Sequence, residues 1–168
     1  MSSTVLLNIA RFFLLLFAQV LIFNKINFND KINPYPYILF LILYPVNTNK
    51  TSFLVASFLL GLLVDMFFDS GGVHASACLV LAFLRPYIFK FAFGLSYEYQ
   101  TVKLNDVLTP QRFTFIVVAV LLHHFILFLL EIFQVSFIFE ILWKTLLSAI
   151  FTIIVCIVII YLIKPNRR

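Results

Sequence analysis

Charge is what this sequence has least of. Of 168 residues only 11% are Asp, Glu, Lys or Arg, seven of them acidic, while 63% are hydrophobic. A soluble domain carries about 25% charged residues, so this composition excludes a small water-soluble fold. Cysteine is scarce as well. Cys78 and Cys156 each stand within an apolar run, without metal-ligand spacing or a disulfide framework, and read as small buried hydrophobes. Glycine numbers four, and two of these are adjacent, Gly71 and Gly72, which marks a tight turn. A glycine-rich phosphate loop, a G-x-S-x-G elbow and an H-E-x-x-H pair are all missing, and with them the usual signatures of nucleotide binding, serine hydrolysis and zinc proteolysis. The net charge of +5 lies mostly in loops and at the C-terminus. That distribution orients a membrane protein and attracts anionic headgroups; it does not indicate nucleic-acid binding.

What is present is a series of apolar runs, rich in the 22 phenylalanines, several of them close to the roughly 20 residues a bilayer span requires. They predict an all-α polytopic integral membrane bundle, one domain over residues 1–168. Its spans fall at approximately 5–23, 34–46, 52–68, 74–93, 113–130 and 139–163. The first run has no basic stretch before it and no small-x-small cleavage pattern after it, so it reads as a retained span. Trp143 and Tyr161 fall near the two ends of the last run, as interfacial anchors do. Tyr35 to Val46 is the weak point, because twelve residues of helix reach only about 18 Å of a core about 30 Å thick. Either flanking residues extend it to give six spans, or it is re-entrant and the spans are five. Six spans with the N-terminus inside collect Lys50, Arg85, Lys90, Lys103, Arg112, Lys164, Arg167 and Arg168 on the cytoplasmic side, against Lys25 and Lys31 outside. Five spans with the N-terminus outside move Lys25 and Lys31 inside as well. Both arrangements put the C-terminus in the cytoplasm and the turns after Phe68 and Glu131 outside.

The stretch G-L-L-V-D-M-F-F-D-S-G-G-V-H, Gly61 to His74, places two of the seven acidic residues four apart at the end of an oily run. Gly61, Asp65 and Asp69 match the second half of the metal-binding motif of CDP-alcohol phosphotransferases, and carboxylates at i and i+4 share a helix face. The first half of that motif would need Asp at 47 and Arg at 52, where this chain has Asn47 and Ser52. His123 and His124 suggest a metal or a proton relay, with Glu131 two turns beyond His124. That separation, about 10 Å along the axis, is too long for one ion. An intramembrane protease would need serine with histidine, or two aspartates, on facing helices, which sequence spacing does not address. The intramembrane polar set is therefore Arg11, Gln19, Asp65, His74, Arg85, His123, His124 and Glu131, residues expected to face the bundle interior, a cavity or a partner. Asp69 beside Gly71 and Gly72 fits the turn. Asp65 needs a partner within the membrane, and His74 and Arg85 on the next span are the first expected.

The order of these features, G-L-L-V-D-M-F-F-D-S-G-G-V-H-A at 61 to 75, F-L-R-P-Y-I at 83 to 88 and L-H-H-F-I-L-F-L-L-E at 122 to 131, resembles the rod shape-determining protein MreD family over essentially the whole chain. The resemblance implies a non-enzymatic scaffold subunit of the bacterial cell-elongation and peptidoglycan-synthesis complex, in the inner membrane and without a cofactor. It implies association with an MreC-like scaffold protein and a RodA-type glycosyltransferase with its transpeptidase, and indirectly with the MreB cytoskeleton. It also implies a bundle similar to the S component of energy-coupling-factor vitamin transporters. Asp65, Asp69, Gly72, His74, Arg85 and Pro86 fall on the family's characteristic stretch and become structural or partner-contact candidates, with Gly71, His123, His124 and Glu131 beside them. An S component proper is the alternative function. Its docking surface would show A-x-x-x-A, whereas the first span here offers only Ala10 and Ala18, eight apart, which favours the scaffold.

Overall fold

Five long helices form on the long apolar runs in a computed structural model that describes residues 3–26, 32–46, 48–94 and 108–163. They are α1 (Ser3–Leu21), α3 (Lys50–Phe68), α4 (Val73–Phe93), α5 (Pro110–Ile132) and α6 (Ile138–Ile163). A short α2 (Leu39–Leu43) lies between the first two and follows a 3-10 turn at Pro36–Ile38. Local sequence sets the ends. The Asn49 side chain accepts from the Thr51 N–H at 2.9 Å, and Thr109 accepts from the Arg112 N–H at 3.3 Å with Pro110 just inside α5, so both helices start on a cap that satisfies a first-turn donor. α3 stops where Asp69 turns left-handed at φ 53°, followed by Gly71 and Gly72 at φ 65° and 96°. Two consecutive positive-φ residues suit glycine, and they reverse the chain into α4. α4 then runs on through Pro86 to Gly94.

All five long helices have the length and composition to cross a bilayer, and the chain is a multi-pass membrane protein of the all-α class. Their outward faces carry Leu14, Met66, Phe91, Phe139 and Leu162, each more than two-thirds exposed. Apolar surface on this scale is untenable in water and ordinary against lipid. Trp143 and Tyr161 are exposed on α6, eighteen residues and about 27 Å apart.

The segment expected as a second span is not a long helix. Helix covers only 36–43, with extended backbone at Tyr44. Yet the segment passes through the bundle from one end to the other. Tyr35 packs against Phe68, the last residue of α3, and Tyr44 packs against Phe53 near its first turn. Those two phenylalanines lie about 22 Å apart along the helix. The expectation of an 18 Å reach assumed helical rise throughout, whereas the residues flanking 36–43 are non-helical, extended at Tyr44, and advance further per residue. α1 lies antiparallel to it, with Gln19 bonded to Pro34 and Phe12 against Phe40. The described residues therefore traverse the bundle six times, five of them as long helices. The starts of α1, α3 and α5 share one end with the finish of α6, and the α3–α4 and α5–α6 turns share the other.

Candidate functional site

Polar side chains gather where this broken segment crosses α4, α5 and α6. Its prolines and tyrosines hold the segment in the core, and Tyr37 through Ile42 are almost fully buried. The Tyr37 hydroxyl lies 2.8 Å from His74 Nδ1 at the start of α4 and 2.9 Å from His123 Nε2 in the middle of α5. The Cys78 thiol sits 3.9 Å from the same His123 nitrogen. A phenol has one proton to give, so one histidine accepts it and the other donates N–H to the phenol oxygen. The two imidazole tautomers are thus coupled through Tyr37. His123 Nδ1 has no partner among the described residues.

His124, next in sequence, points to a different set. Its Nδ1 lies 2.8 Å from the Val120 carbonyl, which only accepts, so Nδ1 carries the proton. In a neutral ring Nε2 then accepts from the Thr152 hydroxyl at 3.0 Å, and the Thr152 oxygen takes the Tyr35 N–H at 3.0 Å. This satisfies a backbone donor left without a helical partner where the segment is extended. Gln19 does the matching work from α1, donating to the Pro34 carbonyl at 3.3 Å. Through these bonds the cluster ties α1, α4, α5 and α6 to one stretch of irregular backbone.

Asp65 and Arg85 lie at opposite ends of the bundle. Asp65, 4% exposed, accepts from the His74 N–H at 2.9 Å and the Ser70 hydroxyl on Oδ1, and from the Ala75 N–H at 2.8 Å on Oδ2. It is a remote cap for the first turn of α4, where bare N–H groups and the helix dipole favour a carboxylate. Of the two partners first expected for Asp65, His74 meets it, through its backbone N–H rather than its ring, and Arg85 does not; the Ala75 N–H and the Ser70 hydroxyl complete the set. Gly61, read in sequence as part of a metal motif, serves packing. A Cβ there would lie 2.5 Å from the Ala75 Cα, so α3 and α4 approach each other through it. Asp69 is exposed, and its N–H closes the last turn of α3 on the Asp65 carbonyl.

Arg85 works at the other end. Its Nη2 donates to the Ile42 carbonyl at 3.2 Å and to the Tyr44 carbonyl, the free acceptors where α2 stops. The guanidinium lies 4.8 Å from the Phe53 ring centre and 4.9 Å from that of Phe89. Pro86 follows it, exposed on α4. Glu131 is exposed on the last turn of α5, away from the histidines. His74, His123 and His124 are thus brought into one neighbourhood, while Asp69, Gly71, Gly72, Arg85, Pro86 and Glu131 are not part of it. Among the described residues, no group of three or more His, Cys, Asp and Glu is arranged to hold a metal ion. What the cluster does chemically is join helices by hydrogen bonds. Tyr37, Thr152 and Ser70 were missed in sequence; the only signal was a pair of tyrosines among prolines in an oily run. No family model matches the chain, and neither a curated protein nor a solved structure matches it.

Proposed function

We propose that this protein is a non-enzymatic scaffold subunit of the bacterial cell-elongation complex, of the MreD kind. The observation that carries the reading is how the bundle interior is used. In the bundle interior Tyr37, His74 and His123 are 0–3% exposed, and the Tyr37 hydroxyl bonds both histidines, joining one helix to another. These bonds hold the fold, and the wide apolar faces of α1 and α6 remain for lipid and neighbouring helices. Basic residues by sequence favour the end carrying both termini, so that end is cytoplasmic and the α3–α4 and α5–α6 turns face outward. The membrane is the bacterial inner membrane, and the partners are an MreC-like protein and the RodA-type glycosyltransferase with its transpeptidase.

Purification in mild detergent followed by mass spectrometry tests this. The MreC-like protein is expected to co-purify, and depletion in a rod-shaped host is expected to give round cells with normal vitamin uptake. A tightly retained vitamin, or rods that keep their shape after depletion, overturns the reading.

A further inference from the structure

Arg85 is a buried cation in need of an anion. It is 6% exposed, and among the described residues the one ion pair joins Lys144 to Glu140, far from it in the chain. Among the described residues its contacts are two carbonyls and two aromatic faces, and its Nε has no acceptor. Burial of a guanidinium without a countercharge is costly, and carbonyl dipoles and ring faces compensate only in part. The residue also lines a cavity of about 470 Å³ at the basic end of the α3–α4 hairpin, together with Lys50, Thr48, Leu54, Phe83 and Tyr87. Lys50 is the first residue of the nineteen-residue α3, so the positive end of that helix dipole lies at the same cavity. Two cations and a helix N-terminus converge there, and none of the described lining residues is a carboxylate.

A second cavity of about 490 Å³ shares Leu54 and Phe83 with the first and is otherwise lined by Leu79, Val80 and Leu84, all apolar. Gly61 lies opposite Ala75 in this antiparallel pair, which sets Lys50 level with Pro86 and Ser57 level with Leu79. The apolar groove therefore runs about 10 Å from the cationic cavity toward the middle of the helices. Phe83 and Tyr87 are exposed beside it, on the face turned to lipid. A cationic pocket at the end of the bundle, continuous with an apolar groove along its side, has the polarity of a phospholipid.

We propose that this pair of cavities binds an anionic phospholipid, its phosphate between Arg85 and Lys50 and an acyl chain along Leu54, Leu79 and Phe83. The phosphate supplies a countercharge that none of the described residues places beside Arg85. This inference is independent of the scaffold reading. The test is thermal unfolding of the purified protein in a neutral detergent, titrated with dioctanoyl phosphatidylglycerol, dioctanoyl phosphatidylcholine or inorganic phosphate. Phosphatidylglycerol is expected to raise the melting temperature saturably, and the other two to leave it unchanged. Lys50→Gln is expected to raise the half-saturating concentration about fivefold, the effect of one lysine near an anionic lipid surface. Arg85→Gln is expected to abolish the response. Because Arg85 also holds the end of α2, Lys50→Gln, which leaves those bonds in place, decides the matter where Arg85→Gln does not fold. Equal responses to the two lipids, or an unaltered midpoint in Lys50→Gln, overturn the proposal. A response to inorganic phosphate matching that to phosphatidylglycerol overturns the lipid as the occupant.

Discussion

The Asp65 carboxylate receives two backbone N–H groups and one hydroxyl within a few residues of a helix start. Removing it leaves the N–H groups of His74 and Ala75 buried without an acceptor, and each such group is worth about 1–3 kcal/mol. Asp65→Ala is therefore expected to lose about 2–4 kcal/mol of stability in a detergent unfolding titration, and Asp65→Asn less, since it keeps one acceptor oxygen. Asp69, four residues on, occupies a left-handed position on the surface. Asp69→Gly is expected to be neutral or to gain up to about 1 kcal/mol, because glycine adopts that conformation without strain. Equal losses in Asp65→Ala and Asp69→Gly would refute the cap. The sequence allowed the two aspartates to be separated, one in a turn and one in need of a partner, because Gly71 and Gly72 mark the turn locally. The kind of group that meets it was not legible. A carboxylate in an oily run suggests a cation, whereas the groups that meet Asp65 are backbone N–H groups, which every residue but proline carries and which no sequence pattern distinguishes.

At the scale of elements, the segment between Pro34 and Val46 decides how the helices are joined. Irregular backbone is tolerated at membrane depth only where protein groups satisfy it. Here Gln19 and Thr152 serve its beginning and Arg85 its end, while the Tyr37 hydroxyl joins it to α4 and α5. Tyr37→Phe keeps the ring and its packing and deletes only the shared hydroxyl, leaving ring nitrogens of His74 and His123 without their partner. The expected loss is about 1–3 kcal/mol, measured by the same unfolding titration. A variant as stable as the parent would show that the tyrosine acts by packing alone. The five long helices were legible because an unbroken apolar run of about 20 residues has few other fates. This segment was not, since its length was judged by helical rise and its partners lie 37, 86 and 117 residues away in the chain.

For the molecule as a whole, the path of that segment fixes how the two termini are related. A segment entering and leaving at one end would place the start of α1 opposite the finish of α6. The observed path does otherwise: Tyr35 lies beside Phe68 and Tyr44 beside Phe53, at opposite ends of α3. Six traversals bring the start of α1 and the finish of α6 to one side, which the proposed orientation, resting on the eight-to-two bias of basic residues in the sequence, makes the cytoplasmic one. Reporter fusions at Met1 and after Arg168 are accordingly expected to give the same cytoplasmic signal. Single cysteines placed at Ser70 and Gln134, in a background with Cys78 and Cys156 replaced by alanine, are expected to react with a membrane-impermeant thiol reagent from outside. Labelling at these turns combined with an external signal from the Met1 fusion would mean that the segment turns back within the membrane, and that the bonds of Tyr37 to α4 and α5 do not set the topology. Agreement of the two fusions would leave Arg85 at the cytoplasmic end of the bundle, on the leaflet where negative surface potential is greatest and where a buried guanidinium beside an apolar groove has an anion within reach.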